Sequence, residues 1–243
     1  MKILLTISYD GTNFHGWQRQ NGQITIQETL ENALFSIFSE RIITRGASRT
    51  DARVHALGQR ATFTANTRVP MENLPLVINN KLPKDIRIMK AKYVSESFHP
   101  QYSAKNKTYC YTIYNAKIIN PIYTNYAWLV KPKLNILAME NATKYLLGEH
   151  NFLAFCASGS NAKTFTRTIY NIKIKDESPN LIISITGNGF LYNMVRIIIG
   201  TLVYVGQGKL QSEYVKHILL SQDRTLAGIT APPQGLSLNR IEY

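Results

Sequence analysis

The sequence predicts an α+β protein made of two ferredoxin-like halves with antiparallel or mixed sheets. Three observations carry that expectation. Hydrophobic residues recur with strand and helix periods in the order strand, helix, strand, strand, helix, strand over residues 2–94. A similar order recurs in the remainder of the chain, and no low-complexity linker lies between the two series. With 243 residues, 44% of them hydrophobic, the chain is long enough for a sizeable core and too apolar to be disordered. The expected division falls near residues 100–105, giving an N-terminal half over 1–102 and a C-terminal half over 103–243 that share one sheet system.

Residues 2–9 alternate, with Ile3, Leu5, Ile7 and Tyr9 on one face, and Asp10-Gly11 ends this strand as a turn. Residues 11–20 form a loop dense in donors and aromatics, in which Trp17 is expected to plug the core. Thr25 and Glu28 have capping-box spacing, and Ile26, Leu30, Leu34 and Phe38 recur every four residues behind them, so a helix is expected to end near Ser39. Strands are expected at 41–44, 59–66 and 83–94, with a short helix at 74–80 whose first turn tolerates Pro75. In the second half, strands are expected at 108–114, 168–175 and 181–186, with Tyr170, Ile172 and Ile174 inward. Helices are expected at 135–147, closed by Gly148, at 190–205 and at 213–220, and a last strand at 237–242.

The charge is uneven. Lys and Arg number 28 against 15 Asp and Glu, a formal net charge of +13 that draws polyanions. No acid occurs between Ser97 and Met139, while Lys105, Lys107, Lys117, Lys131 and Lys133 fall there. A membrane is the rival polyanion, but the sequence has no apolar run of about 18 residues, no signal peptide and no lipidation motif, so the cytoplasm is the expected compartment. Cys110 and Cys156 lack metal spacing and sit in apolar contexts, which suits buried thiols. The histidines are scattered, so no structural metal is expected.

Asp51 is the only carboxylate in a window, Arg41 to Arg68, that holds six arginines and no lysine. Neighbouring positive charge keeps such a carboxylate ionised, and arginines bind phosphate with paired hydrogen bonds. The window reads either as a nucleic-acid surface carrying one reactive oxygen or as a structural salt bridge or helix cap. A glycoside hydrolase would need a second acid flanking the bond; Glu40 and Glu72 are the nearest in sequence. A single aspartate suits isomerisation of a nucleoside, because the departing base is also the incoming group.

Arg196 lies inside an otherwise apolar helix and calls for a partner, a buried acid or a phosphate, unless it snorkels to solvent. Tyr109 and Tyr111 share a strand face, suited to the core or to a platform for a base. Arg49 is placed to hold a phosphate or to orient Asp51, and with Arg53, Arg60, Lys105 and Lys107 it makes the candidate RNA surface. His55 reads as a structural histidine at the loop base.

Five segments, in order, resemble the tRNA pseudouridine synthase A family: Tyr9 to Gln20, Arg49-Thr50-Asp51-Ala52 with Val54-His55-Ala56, Lys107 to Tyr111, Asn193-Met194-Val195-Arg196, and Ala227 to Leu236. The resemblance covers nearly the whole chain. It implies a pseudouridine synthase fold, with Asp51 as nucleophile, Arg49 entering the RNA to hold out the target nucleotide, Tyr109 stacking on the flipped uracil and Arg196 pairing with Asp51. It implies conversion of uridine to pseudouridine at positions 38 to 40 of the tRNA anticodon arm by a cofactor-free homodimer. Attack at C1′ of the ribose and attack at C6 of the base both remain open. The family usually has glycine at the positions of Ser48 and Arg53, and Ala-Arg where this chain has Pro100-Gln101. If position 53 needs a positive φ, Arg53 is strained. These departures leave a paralogue with a shifted RNA target as one alternative. A non-catalytic RNA-binding module is the other.

Overall fold

In a computed structural model the structure describes residues 1–243, and the α+β expectation holds. The chain forms two compact units: residues 1–105 with 237–243, and residues 106–236. No helix is long and apolar enough to cross a membrane.

In the first unit, β1 (Lys2–Tyr9) is central, antiparallel to β3 (His55–Thr64) on one side and to β4 (Ile86–Tyr93) on the other. A stub, β2 (Arg45–Gly46), pairs antiparallel with β3, giving the order β4-β1-β3-β2 of a split βαβ unit. The closing strand β10 (Leu236–Glu242) runs parallel to β3, with Ser237 opposite His55. Helix α1 (Ile26–Phe38) starts where expected: the Thr25 side chain accepts from Glu28 N. It stops at Ser39, which turns left-handed (φ 56°). Ile26, Leu30, Ala33 and Leu34 of α1 and Ile3, Leu5 and Ile7 of β1 are buried. The second helix, α2 (Leu74–Asn79), has Pro75 in its first turn.

Residues 41–44 are not a strand. The Glu31 carboxylate, on α1, accepts from Thr44 N at 2.8 Å and Thr44 Oγ1 at 3.0 Å, and Gln27 Nε2 donates to Thr44 O at 3.1 Å. Helix side chains thus satisfy the backbone there, and pairing begins only at Arg45. Strand β3 begins four residues before the expected start, because His55 pairs with Ser237 at the far end of the chain.

In the second unit, β5 (Asn106–Tyr114), β9 (Asn180–Gly187), β8 (Thr166–Glu177) and β7 (Gly148–Asn151) pair antiparallel in that order. A two-residue strand, β6 (Trp128–Leu129), lies parallel to β5. Tyr170 points outward and is exposed, contrary to expectation. The β8–β9 register shifts between Ile169 and Asn171, and this bulge takes Tyr170 out of alternation while Ile169 is buried. Three helices complete the unit: α3 (Ile136–Thr143), α4 (Met194–Gly206) and α5 (Tyr214–Ser221). The start of α4 falls at 194 instead of 190 because Asn193 is left-handed (φ 59°). Helix α3 stops at Thr143 and tightens to a 3₁₀ turn over Lys144–Leu146 before Gly148 (φ +93°). Both thiols are free, Cys156 buried and Cys110 half-buried.

Candidate active site

Asp51 sits between β2 and β3 on a loop fastened largely through its main chain. Trp17 N donates to Thr50 O at 3.0 Å, Arg53 N to Phe14 O at 3.1 Å, and Val54 N to Asp51 O at 3.2 Å. The 11–20 loop therefore straps the Asp51 loop, and it is itself tied to the start of α1 by Ile26 N to Gly16 O and Gln27 N to Trp17 O. The approach is so close that a Cβ on Gly16 (φ +86°) would lie 2.5 Å from Thr50 O, and one on Gly11 2.1 Å from Val54 O. Trp17 is buried as expected, and its ring fills the space beside Gly46.

Side chains brace the same loop. Buried Gln59, on β3, donates from Nε2 to Ser48 O at 2.7 Å and accepts from Ser48 N through Oε1. Tyr9 OH and Thr50 Oγ1 share a buried hydrogen bond of 2.7 Å. His55 is buried at the loop base, where Gly11 N donates to its Nδ1 and Asp10 Oδ1 lies 3.1 Å from the same atom. Asp51 is half-buried, and Arg49 and Arg53 are exposed on either side of it. Arg53 adopts φ 65°, the left-handed conformation that the glycine at this family position anticipated.

The other two sequence-derived site residues lie in the second unit. Tyr109 is nearly buried on β5 opposite Ile185, and its ring meets Phe190 edge-on with centroids 5.3 Å apart. Tyr111 lies on the same face, fully buried, and donates to Pro232 O at 2.8 Å. Arg196, in the first turn of α4, donates from Nε to Ala231 O at 2.7 Å and from Nη1 to Asn193 Oδ1 at 2.8 Å. The first of these bonds fixes the strap 227–235 against α4. Gly228 N donates to Thr201 Oγ1 at 2.9 Å, and a Cβ on Gly200 would lie 1.8 Å from Ile229 O. The side chain of Arg196 is half-buried and does not simply extend into solvent.

Two members of the expected RNA surface are withdrawn from solvent, Lys107 fully and Arg60 in part. Lys107 shares the inward face of β5 with Tyr109 and is buried; burial first, then the charge of Arg167, lowers its ammonium to about 8. Arg60 is half-buried on β3 and donates to Thr6 Oγ1; burial is the largest cause of its lowered pKa. Strand parity decides Lys107, which falls on the same face as the buried Tyr109 and Tyr111. Sequence reasoning missed Gln59, the buried Glu31 and Phe190. No group of three or more His, Cys, Asp or Glu side chains is arranged to hold a metal ion.

The site geometry can be set beside known proteins. The family model described as tRNA pseudouridine synthase matches residues 5–103 and 142–243. The chain belongs to the tRNA pseudouridine synthase family. Two proteins named tRNA pseudouridine synthase A are close relatives, from Thermoanaerobacter sp. (strain X514), 50% identical with 99% of both chains covered, and from Ruminiclostridium cellulolyticum, 48% identical with 100% of this chain and 99% of that one covered. A Clostridium perfringens relative named tRNA pseudouridine synthase A 2 is 45% identical, with 99% of both chains covered. All five sequence segments that suggested the family fall in the two units as structured parts: the strap, the Asp51 loop, β5, the start of α4 and the 227–236 segment. The family's activity is isomerisation of uridine to pseudouridine, so the chain is an isomerase that acts on RNA.

Proposed function

We propose that this protein isomerises uridine at positions 38 to 40 of the tRNA anticodon arm, with Asp51 as the nucleophile. The observation that carries the reading is the Asp51 loop. One half-buried aspartate, flanked by two exposed arginines, sits on a loop held by hydrogen bonds from three separate segments. Such fastening positions a nucleophile before substrate arrives.

A uridine in a stem must leave its stack, at a cost of a few kcal/mol. Arg49 enters the RNA and holds the nucleotide out, and Tyr109 receives the uracil face. Arg196 is the residue that the family resemblance makes the partner of the Asp51 carboxylate. The Asp51 oxygen attacks C1′ as the C1′–N1 bond breaks, and uracil leaves with the bonding electrons. The base turns, C5 attacks C1′ and the carboxylate departs. The C5 hydrogen is lost as a proton and N1 takes one up, so product and substrate are isomers and the balance needs no cofactor. Attack at C6 of the base reaches the same product. The protein works as a homodimer, a reading that rests on the family resemblance, and the cytoplasm is its proposed compartment.

In this reading the N-terminal half supplies the nucleophile and the C-terminal half supplies the platform and the arginine. A shifted RNA target is the second reading, favoured by Arg53 held at φ 65° beside the nucleophile and by Pro100-Gln101.

Release of tritium from C5-labelled uridine in anticodon-arm tRNA tests the proposal. The purified protein is expected to release it stoichiometrically with pseudouridine, and Asp51→Ala to release none while still binding tRNA. Tritium release by Asp51→Ala would remove Asp51 from the role.

A further inference from the structure

The turn at residues 99–103 presents an aromatic ring to solvent and braces it there. Tyr102 is 80% exposed. Its ring stacks on His99 with centroids 4.3 Å apart and planes 26° from parallel. Gln101 N and Tyr102 N both donate to His99 Nδ1, at 3.2 and 3.3 Å. His99 N donates to Ser103 Oγ, and Ser103 N returns to His99 O at 2.9 Å. The turn is anchored from outside as well. Tyr243 OH donates to Pro100 O, the Tyr243 ring packs on Phe98 at 4.8 Å, and Lys105 N donates to Glu242 O. An exposed tyrosine normally samples several rotamers, whereas this one has a stacking partner and a closed hydrogen-bonded turn beneath it.

Its surroundings are basic. Lys2 Nζ donates to Glu96 O at 2.7 Å, just before the turn, and the charges of Arg45 and Lys2 both act on His99. Strand register puts Lys2, Arg45, Arg60, Lys90 and Lys92 on one face of the first unit's sheet: Leu4 is opposite Thr62 and Lys92, Thr6 is opposite Arg60 and Lys90, and Arg45 is opposite Thr62. The acids nearby are already engaged or turned to water: Glu242 pairs with Arg240, and Glu96 is exposed. A rigid aromatic face bordered by cations matches an unstacked nucleotide, whose base is a π surface and whose phosphate is an anion.

We infer that the stacked His99–Tyr102 pair is a base-stacking subsite for an unpaired nucleotide of the RNA substrate, with Arg45 and Lys2 at its margin for the adjoining phosphate. The inference rests on the RNA-substrate reading above and adds a contact outside the candidate catalytic residues.

The test measures tRNA dissociation constants in the Asp51→Ala chain, alone and combined with Tyr102→Ala, Tyr102→Leu or Tyr102→Trp. Loss of one stacked base predicts roughly 5- to 100-fold weaker binding for Tyr102→Ala and Tyr102→Leu. Tyr102→Trp is expected to bind within about 2-fold of its parent, as stacking tolerates any aromatic. Tyr102→Ala should leave the salt dependence unchanged, whereas Arg45→Gln should reduce its slope by about one phosphate contact. In the otherwise native enzyme, Tyr102→Ala should raise KM without lowering kcat, and ultraviolet crosslinking should join tRNA to the peptide containing Tyr102. Unchanged binding by Tyr102→Ala overturns the inference, as does equal weakening by Ala and Trp. So does a change in sedimentation with unchanged RNA affinity, which would make the turn a protein-contact surface. If the native enzyme neither binds tRNA nor releases tritium, the substrate reading and this inference fall together; if it does both and Tyr102→Ala matches it, only this inference falls.

Discussion

The Asp51 loop and the Arg196 segment answer the same demand, a fixed functional side chain, with main-chain and side-chain bonds in different proportion. Around Asp51 the strap and the loop exchange main-chain hydrogen bonds, Trp17 N to Thr50 O and Arg53 N to Phe14 O, at an approach that only Gly16 permits. Around Arg196 the work falls to side chains: its own guanidinium holds Ala231 O, the Thr201 hydroxyl takes Gly228 N, and the Tyr111 hydroxyl holds Pro232 O. The Asp51 loop is most sensitive to an added Cβ at the point of approach, with Gln59 and the Tyr9–Thr50 pair as side-chain braces beside it. A strap held by side chains tolerates neither shortening nor loss of a hydroxyl. The contrast fits the division of labour proposed above, since a nucleophile needs a fixed backbone beneath a short side chain, whereas a long arginine must be steered along its length.

The largest effect is expected from Gly16→Ala, which meets both a left-handed φ and a 2.5 Å contact with Thr50 O. Strain and overpacking together predict about 2–4 kcal/mol of destabilisation, read by denaturant unfolding, with pseudouridine formation falling alongside it. Stability within error of the parent would show that the strap can move. Thr201→Val comes next: it strands the buried Gly228 N–H and should cost about 1–3 kcal/mol. Its loss of stability should loosen the 227–235 strap, seen as faster amide exchange there, while the Asp51 loop stays protected.

A gain is expected from Arg53→Gly. Relief of a left-handed φ at a non-glycine residue is worth about 1 kcal/mol, or roughly 2–4 °C in Tm for a chain of this size. The same variant sharpens the functional reading, because altered modification positions with raised Tm would show that Arg53 trades stability for specificity. The smallest effect concerns the 99–103 turn. Burial first, then Arg45 and Lys2, lower the His99 pKa from its ordinary value of 6.5. The neutral form is the one that accepts from Gln101 N and Tyr102 N, so the folded state binds fewer protons than the unfolded state below that value. The turn's contribution is therefore complete above pH 6.5 and is lost as pH falls through the lower folded value. Exchange of the Gln101 and Tyr102 amides should quicken on acidification, and His99→Ala should abolish the pH dependence.

Much of this was legible in the sequence, and the misses have a common cause. Strand β1, helix α1 with its Thr25 cap and the short helix α2 followed from periodicity and capping because local interactions decide them. The expected strand at 41–44 failed because Glu31, distant in sequence, satisfies Thr44. The expected inward Tyr170 failed because a bulge, invisible to simple alternation, shifts parity by one. At the candidate site, Asp51 and Arg196 stood out as charges in unusual company, whereas Gln59 and Glu31 looked like ordinary surface residues until their partners were in place. Lys107 is instructive: its strand parity with Tyr109 and Tyr111 already placed it inside, but a lysine in a basic segment reads first as surface.

The central claim is that the Asp51 carboxylate performs the isomerisation in the tRNA anticodon arm. Nucleotide-resolution pseudouridine mapping tests it most directly, on tRNA and ribosomal RNA from cells with the intact gene, with none, and with Asp51→Ala. Loss of pseudouridine at positions 38 to 40 in both altered strains is the predicted result. Anticodon arms fully modified in the Asp51→Ala strain, but not in the strain lacking the gene, would contradict the role given to Asp51.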